Sequence, residues 1–335
     1  MHLVAAPDKF RGTLDAIEAA SAIAEAARSA RWTADEAPLS DGGEGFGTVL
    51  GGTPSPIRVS GPLGQPVDSR FWVLDDPTIC VVEMAEASGR ALLPHPTPDE
   101  AFSASTEGVG QLILAAISSG ASTIIVGCGG SATTDGGWGA VTTILDGGGL
   151  AGSHLVVATD VTTAYLDAAR TFGPQKGADS STVARMERRL EVLGRRLGEL
   201  TGRTIASLPR SGAAGGLAGG LMALGAEAAS GIDVVAGLID LDARIAAADL
   251  VVTGEGRLDA TSLEGKTVAS LVDRIPPSTR LAVIAGSCEA GIADRLGDLR
   301  GSEVEVISLT ELVGAERSED DARAAVVEAT EVLLA

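Results

Sequence analysis

The stretch VGCGGSATTDGG, residues 126–137, follows a run of β-branched residues and contains five glycines. Backbone N–H groups in such a turn can point together at an anion, and glycine lets a phosphate approach closely. Hydroxyl groups add further donors, and a carboxylate in the turn suits Mg²⁺. We therefore predict a phosphate-binding loop with a Mg²⁺ contact. The predicted phosphate contacts are Gly129, Gly130, Ser131 and Thr133, and the predicted metal contact is Asp135.

Two other interpretations of this stretch stay open. Gly127, Gly129 and Ala132 satisfy the G-x-G-x-x-A pattern of dinucleotide-binding proteins. That pattern requires a helix to begin at once, whereas Gly136 and Gly137 follow here. A turn whose glycines serve only the backbone is the second alternative. The Walker A pattern, the best-known phosphate loop, does not occur in the chain.

Charged and hydroxyl side chains recur near the N-terminus. APDKFRG, residues 6–12, ends the first predicted strand, where open α/β sheets usually bind ligands. Asp8, Lys9 and Arg11 place mixed charge at the start of a helix, which suits a carboxylate or a phosphate, and ordinary helix capping is the alternative. In PLSDGGEG, residues 38–45, the polar groups suit hydroxyl binding, Mg²⁺ or proton transfer, and a solvated turn is the alternative. The candidates in this second segment are Ser40, Asp41 and Glu44.

Two later segments supply the carboxylate and the cation that phosphoryl transfer needs. Asp160 directly follows a predicted strand, and Lys176 lies in FGPQKGAD. A solvated loop lysine is the alternative for Lys176. The segment ADLVVTGEGRLDATSLEGKT, residues 248–267, is expected to deliver several charged groups into one loop at a strand end. Such groups are costly there unless they are partnered or functional. Its candidates are Glu255, Arg257, Asp259 and Lys266.

Short apolar strands that alternate with helical patterns must position these residues. The predicted strands cover residues 3–6, 78–84, 123–127, 155–159, 250–253, 281–285 and 304–309. This alternation predicts an α/β fold with mainly parallel sheets. The segment GPLGQPVDSRFWVLDDPT, residues 61–78, is the best candidate for a crossover between domains. We predict a discontinuous first domain, 1–75 with 280–335, and an inserted second domain, 76–279.

Composition limits the classes of function. A formal net charge of −20 argues against nucleic acid or an anionic membrane as the main partner. No apolar run approaches the roughly 20 residues needed to span a bilayer, and no signal-peptide pattern opens the chain. Three scattered cysteines follow no metal or redox spacing. These features predict a cytoplasmic protein that binds small molecules.

Seven blocks in order resemble the bacterial-type glycerate kinase family and span nearly the whole chain. They are APDKFRG, SDGGEG, VEMAEASG, GCGGSATTDGG, DV…FGPQKGA, SGAAGGL…SGIDVV and ADLVVTGEGRLD…GK. The resemblance implies two α/β domains with the active site in the cleft between them. It also implies transfer of the ATP γ-phosphoryl group to D-glycerate, giving a phosphoglycerate, with Mg²⁺ and ATP as cofactors.

From the residue chemistry we assign expected roles. Asp160 or Asp41 accepts the proton of the substrate hydroxyl, and Lys176, with Lys266, neutralises the phosphoryl group. Arg11 holds the substrate carboxylate. The remaining expected substrate contacts are Asp8, Ser40, Glu44, Glu255, Arg257 and Asp259.

The chain departs from the family's usual residues at several polar positions, and the segment between residues 139 and 160 is shortened. The departures are Lys9, Arg11, Thr134, Thr163, Ala164, Tyr165 and Thr261. They leave open a kinase of another small hydroxy acid, or a binding protein of the same family that has lost catalysis. A dinucleotide-dependent oxidoreductase is the third alternative.

Overall fold

The computed structural model describes residues 1–10, 12–263 and 267–335. These residues form eleven strands: β1 His2–Ala5, β2 Thr33–Glu36, β3 Thr53–Ser60, β4 Pro66–Val73, β5 Ile79–Glu83, β6 Thr123–Gly127, β7 His154–Ala158, β8 Glu227–Ala229, β9 Leu250–Leu258, β10 Arg280–Cys288 and β11 Glu305–Ser308.

The helices of the described residues lie between these strands and after the last. They are α1 Ala16–Ser29, α2 Phe46–Val49, α3 Ala85–Ser88, α4 Pro98–Ser103, α5 Glu107–Ser118, α6 Trp138–Asp146, α7 Ala168–Phe172, α8 Ser180–Thr201, α9 Leu217–Ala223, α10 Gly231–Leu238, α11 Leu241–Ala246, α12 Thr267–Val272, α13 Ile292–Arg300, α14 Leu309–Val313, α15 Ala315–Asp320 and α16 Ala322–Leu334.

Residues 1–41 and 232–335 form one compact unit, the terminal unit. Its sheet has the order β11-β10-β9-β1-β2, with every strand parallel to its neighbours. Helix α1 begins at a capping box, in which Asp15 accepts from the Glu18 amide and Glu18 accepts from the Asp15 amide. Its alanine-rich face packs on the sheet together with α16.

Residues 42–231 form a second compact unit, the central unit. Its sheet has the order β3-β4-β5-β6-β7-β8. The first three strands are antiparallel, and β5 to β8 are parallel. Helices α5 and α6 pack together beside this sheet, and their apolar residues belong to its core. The predicted α/β class with mainly parallel sheets is confirmed.

All seven predicted strands are present, with ends shifted by a few residues. The sequence analysis missed β2, β3, β4 and β8. Edge strand β3 carries two prolines and only one buried residue, so its sequence lacks the usual signal of a strand. Residues 61–78, predicted as a crossover, contain β4 and pair with β3 in an antiparallel hairpin.

The two units have bounds that differ from the predicted domains. The structure divides the chain after residues 41 and 231, where we predicted division after 75 and 279. Strand β9 pairs with both β1 and β10, and therefore lies in the terminal sheet. The hairpin of β3 and β4 pairs with β5, and therefore lies in the central sheet. Among the described residues, no helix is both long and apolar enough to cross a membrane.

Candidate active site

Three loops leave the same edge of the central sheet. The last residues of β5, β6 and β7 are Glu83, Gly127 and Ala158, and they lie side by side in the strand register. Parallel strands end at one edge, which is where α/β proteins usually bind ligands. Residues 128–137, the glycine loop, and Asp160 therefore start from neighbouring strands.

The glycine loop packs closely on the loop that precedes α2. A Cβ atom on Gly129 would lie 2.4 Å from Cα of Gly43, so only glycine fits. The Gly129 amide donates to the carbonyl oxygen of Gly42 at 3.1 Å. It is engaged within the protein, which contradicts the predicted phosphate contact from this N–H group. The amides of Gly130 and Ser131 donate to no described residue and keep their donor capacity.

Asp135 lies buried beneath the glycine loop and binds backbone amides. Its Oδ2 accepts from the N–H and the hydroxyl of Thr106, both at 2.8 Å, and from the Gly139 amide at 3.2 Å. Its Oδ1 accepts from the Gly137 amide at 3.0 Å. A carboxylate offers about four lone-pair sites, and four donors occupy them. The carboxylate is therefore used to fix the loop and the start of α6, and its predicted contact with Mg²⁺, directly or through water, stays a prediction.

Two cations hold carbonyl groups of the same loop. Lys176 Nζ donates to the Thr133 carbonyl oxygen at 2.6 Å, and Arg189 donates to the carbonyl oxygens of Thr134 and Phe102. Lys176 is buried, and this burial lowers the pKa of its ammonium group to about 7, although nearby Asp135 acts in the opposite direction. One of the three N–H donors of the ammonium group thus supports the backbone of the glycine loop, and the predicted role of neutralising a phosphoryl group stays a prediction.

Glu83 and Glu44 flank the start of the glycine loop. Buried Glu83 accepts from the amides of Gly45 and Gly47, at 3.0 and 2.9 Å, and so anchors the loop that carries Glu44. Oε1 of Glu44 lies 3.3 Å from the place that a Cβ on Gly130 would occupy. The structure therefore brings predicted substrate and phosphate contacts together here.

Asp160 begins the loop after β7. Its Oδ1 accepts from the Gly231 amide at 3.1 Å, and the residue is partly exposed. The guanidinium group of Arg210 donates to the carbonyl oxygen of Thr159, the residue before it. At this end of β7, the Arg210 guanidinium group is therefore bound to the residue that directly precedes Asp160.

In the terminal unit, Asp8 lies at the carboxyl end of β1. Its Oδ2 accepts from the Thr267 hydroxyl at 2.7 Å, and its Oδ1 accepts from the Lys9 amide at 2.7 Å. Burial and the negative charge of Asp41 raise the pKa of Asp8. Lys9 Nζ lies 3.8 Å from Asp41 Oδ1. The structure thus brings the predicted residues Asp8 and Asp41 into electrostatic contact.

The other predicted residues of the terminal unit are more dispersed. Ser40 is buried, and its hydroxyl makes no hydrogen bond with the described residues. Glu255 and Arg257 lie within β9 and not in the loop that we predicted, because the strand continues to residue 258. Arg257 Nε lies 3.3 Å from Asp259 Oδ2, so these two pair with each other. Arg11 and Lys266 lie outside the described residues.

Comparison with known proteins decides the family. A family model described as the glycerate kinase family matches residues 3–145 and 148–331. The chain belongs to the glycerate kinase family. As a member it is a kinase, and the resemblance of the seven sequence blocks is confirmed.

Proteins similar in sequence agree with this family. The chain is 35% identical over 304 residues to glycerate 2-kinase of Escherichia coli K12, covering 79% of this chain and 80% of that protein. It is 36% identical over 305 residues to glycerate kinase of Bacillus subtilis 168, with 80% of each chain covered. An uncharacterized protein of Mycobacterium bovis, Mb2228c, is 41% identical over 306 residues, covering 85% of this chain and 79% of that protein.

The fold is also similar to a solved structure. A crystal structure of a protein assigned as glycerate kinase 2 from Salmonella typhimurium LT2 matches with a TM-score of 0.83 and 28% sequence identity. The match covers 100% of this chain and 97% of that chain. The whole chain therefore has the fold of that protein.

Two departures from the usual residues of the glycerate kinase family lie against the glycine loop. The Tyr165 hydroxyl, fully buried, donates to the Gly136 carbonyl oxygen at 2.9 Å. A Cβ on Gly136 would lie 2.1 Å from that hydroxyl oxygen, and the φ of Gly136 is +69°. The Thr134 hydroxyl is buried and makes no hydrogen bond with the described residues. Tyr165 thus supports the backbone of the glycine loop at Gly136.

The sequence analysis did not single out Thr106, Arg189, Arg210 and Thr267. Thr106 and Thr267 donate to the predicted site residues Asp135 and Asp8, and Arg189 and Arg210 donate to carbonyl oxygens of residues next to predicted ones. None of the four lies within the seven blocks as quoted, although Arg210 directly precedes one block and Thr267 directly follows another. For Arg210, the available signal was a basic residue directly before a glycine-rich segment. The contacts of Thr106, Arg189 and Thr267 join residues that are between 29 and 259 positions apart in the sequence.

We expect Lys176→Met to remove a pH dependence of stability. The ammonium pKa is about 7 in the folded chain against 10.5 ordinarily, so the unfolded chain binds one more proton between these values. The stability of the unchanged protein therefore rises with pH across that window, and below pH 7 the full cost of burying the charge remains. The measurement is Tm against pH from about 6.5 to 10 for both proteins, with Lys9→Met as the control. A Tm difference that does not change with pH would contradict the prediction.

Proposed function

We propose that this kinase transfers the γ-phosphoryl group of ATP to D-glycerate and releases a phosphoglycerate. The observation that carries the proposal is the family match over residues 3–145 and 148–331. The curated relatives named above act, by their names, on glycerate. The exposed Gly130 and the available amides in the glycine loop offer donors to a phosphate. The cytoplasmic location indicated by the sequence stays a prediction.

In this proposal the central unit supplies the phosphate contacts and the base. The amides of Gly130 and Ser131 donate to phosphate oxygens, whereas Thr133 is fully buried, which keeps its predicted contact away from a phosphate. The contacts of Asp135, Lys176 and Arg189 fix the conformation of the loop. Asp160 accepts the proton of the substrate hydroxyl as the phosphoryl group is transferred. Its hydrogen bond with the Gly231 amide orients the carboxylate.

Mg²⁺ fits the pair of Asp8 and Asp41 in the terminal unit. Burial, and after it the negative charge of Asp41, raises the pKa of Asp8, and a divalent cation would offset the repulsion between the two carboxylates. The described residues contain no group of three or more His, Cys, Asp or Glu side chains that could hold a metal ion. A carboxylate pair suffices, because Mg²⁺ is usually held by one or two carboxylates and the substrate phosphates. When bound, the ion would neutralise negative charge on the phosphates.

The deciding experiment measures ADP release from ATP and Mg²⁺ with D-glycerate, and without it as the control. We expect glycerate-dependent release at an ordinary kinase rate, on the order of 1–100 s⁻¹. Excess EDTA should abolish it. Folded protein that releases no ADP above the control would overturn the proposal. Activity with a different short hydroxy acid would then indicate a changed substrate, and binding of ATP without turnover would indicate a family member without catalysis.

A further inference from the structure

Arg210 has a backbone conformation that arginine seldom adopts. Its φ is +69°, in the left-handed region. A residue with a Cβ atom pays of order 1 kcal/mol to remain there, whereas glycine does not. Such strain persists only where the surroundings fix it, and it is found often at ligand sites. The conformation therefore raises the question of what the side chain does.

The segment that carries Arg210 is fixed on the loop that follows β7. The Arg210 amide donates to the Thr162 carbonyl oxygen at 3.2 Å, and the Gly212 amide donates to that of Thr163 at 2.9 Å. The Arg210 guanidinium group donates to the carbonyl oxygen of Thr159. Both backbone and side chain thus hold Arg210 at the strand end from which Asp160 projects.

Most N–H donors of the Arg210 guanidinium group form no hydrogen bond with the described residues. The group carries five N–H donors, and one hydrogen bond, to a backbone carbonyl, is its only contact of this kind with the described residues. Across the same residues it forms no ion pair, whereas Arg170 and Arg185 of the central unit pair with Asp167 and Asp99. The residue is partly exposed, so these donors are accessible.

Arg188 and Arg203 of the same unit also form no ion pair with the described residues, but both are exposed, whereas the hydrogen bond to Thr159 holds Arg210 at the strand end. The planar fork of arginine matches the two oxygens of a carboxylate or a phosphoryl group, and such contacts are stronger than neutral hydrogen bonds. The backbone contact at Thr159 holds the fork in place before a ligand arrives, which reduces the entropy lost on binding.

We propose that Arg210 is an anion-binding residue of the active site, which holds a carboxylate or phosphoryl oxygen of the reactants beside Asp160. The inference rests on the proposed function and adds a substrate contact to it. Two sources share this chemistry: the carboxylate of the hydroxy acid, and the phosphates of the nucleotide. If Arg210 binds the carboxylate, it selects the phosphoryl acceptor, and if it binds a phosphate, it selects the phosphoryl donor.

The test compares Arg210→Gly with the unchanged protein. Glycine removes the guanidinium group and relieves the left-handed strain, so we expect Tm to be unchanged or higher. We expect KM to rise about 10–100-fold, for glycerate if the carboxylate is the ligand and for ATP if a phosphate is. Arg210→Lys should recover only part of the loss, since it keeps the charge without the fork. Arg203→Gly, in an exposed loop of the same unit, is the matched control.

The outcomes separate this inference from the proposed function. Unchanged kinetic constants in Arg210→Gly, with an active parent, overturn the role of Arg210 and leave the proposed function standing. An inactive parent overturns the proposed function, and calorimetric titration with D-glycerate, Mg·ATP and inorganic phosphate then decides the inference. If Arg210→Gly binds one of these anions more weakly than the parent does, the inference is supported. Equal binding by the parent and by Arg210→Gly, or no binding by the parent, overturns the inference.

Discussion

Asp160→Asn is expected to lower kcat for glycerate phosphorylation by about 10²–10⁴-fold, the usual contribution of a general base. The amide has the shape of the carboxylate but cannot accept the substrate proton. Its carbonyl oxygen can still accept from the Gly231 amide, the contact now made at 3.1 Å. We therefore expect little change in Tm or in KM, and the measurements are steady-state kinetics and thermal unfolding.

Asp167→Asn is the matched control for this substitution. It makes the same change seven residues later, at an exposed side chain paired with Arg170. Its kcat should stay within about twofold of the parent. If kcat of Asp160→Asn also stays within tenfold, Asp160 is not the base. Asp41→Asn then tests the other candidate for that role. Because Asp41 also belongs to the proposed Mg²⁺ pair, a lower kcat indicates the base only if saturating Mg²⁺ does not restore it.

Asp135→Ala is expected to destabilise the protein by about 3–5 kcal/mol. The substitution removes the acceptor for four donors and leaves the buried amides of Thr106 and Gly137 without a partner. For a unit of this size the loss corresponds to a fall in Tm of roughly 6–20 °C. Activity should fall as well, even below the unfolding temperature, because the glycine loop loses its anchor.

Asp146→Ala tests whether this loss is specific to the buried carboxylate. Asp146 is exposed at the C-terminal end of α6, the same helix whose start Asp135 fixes. A carboxylate there is unfavourable to the helix dipole, so its removal should leave Tm unchanged or slightly higher. The Tm of Asp135→Asn should lie between those of Asp135→Ala and Asp146→Ala, since one acceptor oxygen remains. A Tm of Asp135→Ala within about 2 °C of the parent would contradict the assigned role.

Asp160 and Asp135 show how much of the site can be predicted from the sequence. Both stand in motifs just after strands, and both were predicted to contact reactants or metal. In the structure, Asp160 is partly exposed, while Asp135 is buried among four donors. Their sequence settings look alike, because a motif shows which residue type is present and not which way it points. One of the donors that hold Asp135 is the hydroxyl of Thr106, 29 residues away in the sequence.

Local signals were enough to predict the α/β class, seven of the strands, the family and the position of the glycine loop. These signals are the period of apolar residues, glycines that permit a tight turn, and motifs in a fixed order. The place of β9 in the terminal sheet and the contact of Lys176 with the backbone of the glycine loop became visible in the folded chain alone. The folded chain also shows that Arg210 reaches the end of β7. Strand pairing and the burial of a charge depend on residues distant in the chain, so a local pattern cannot specify them.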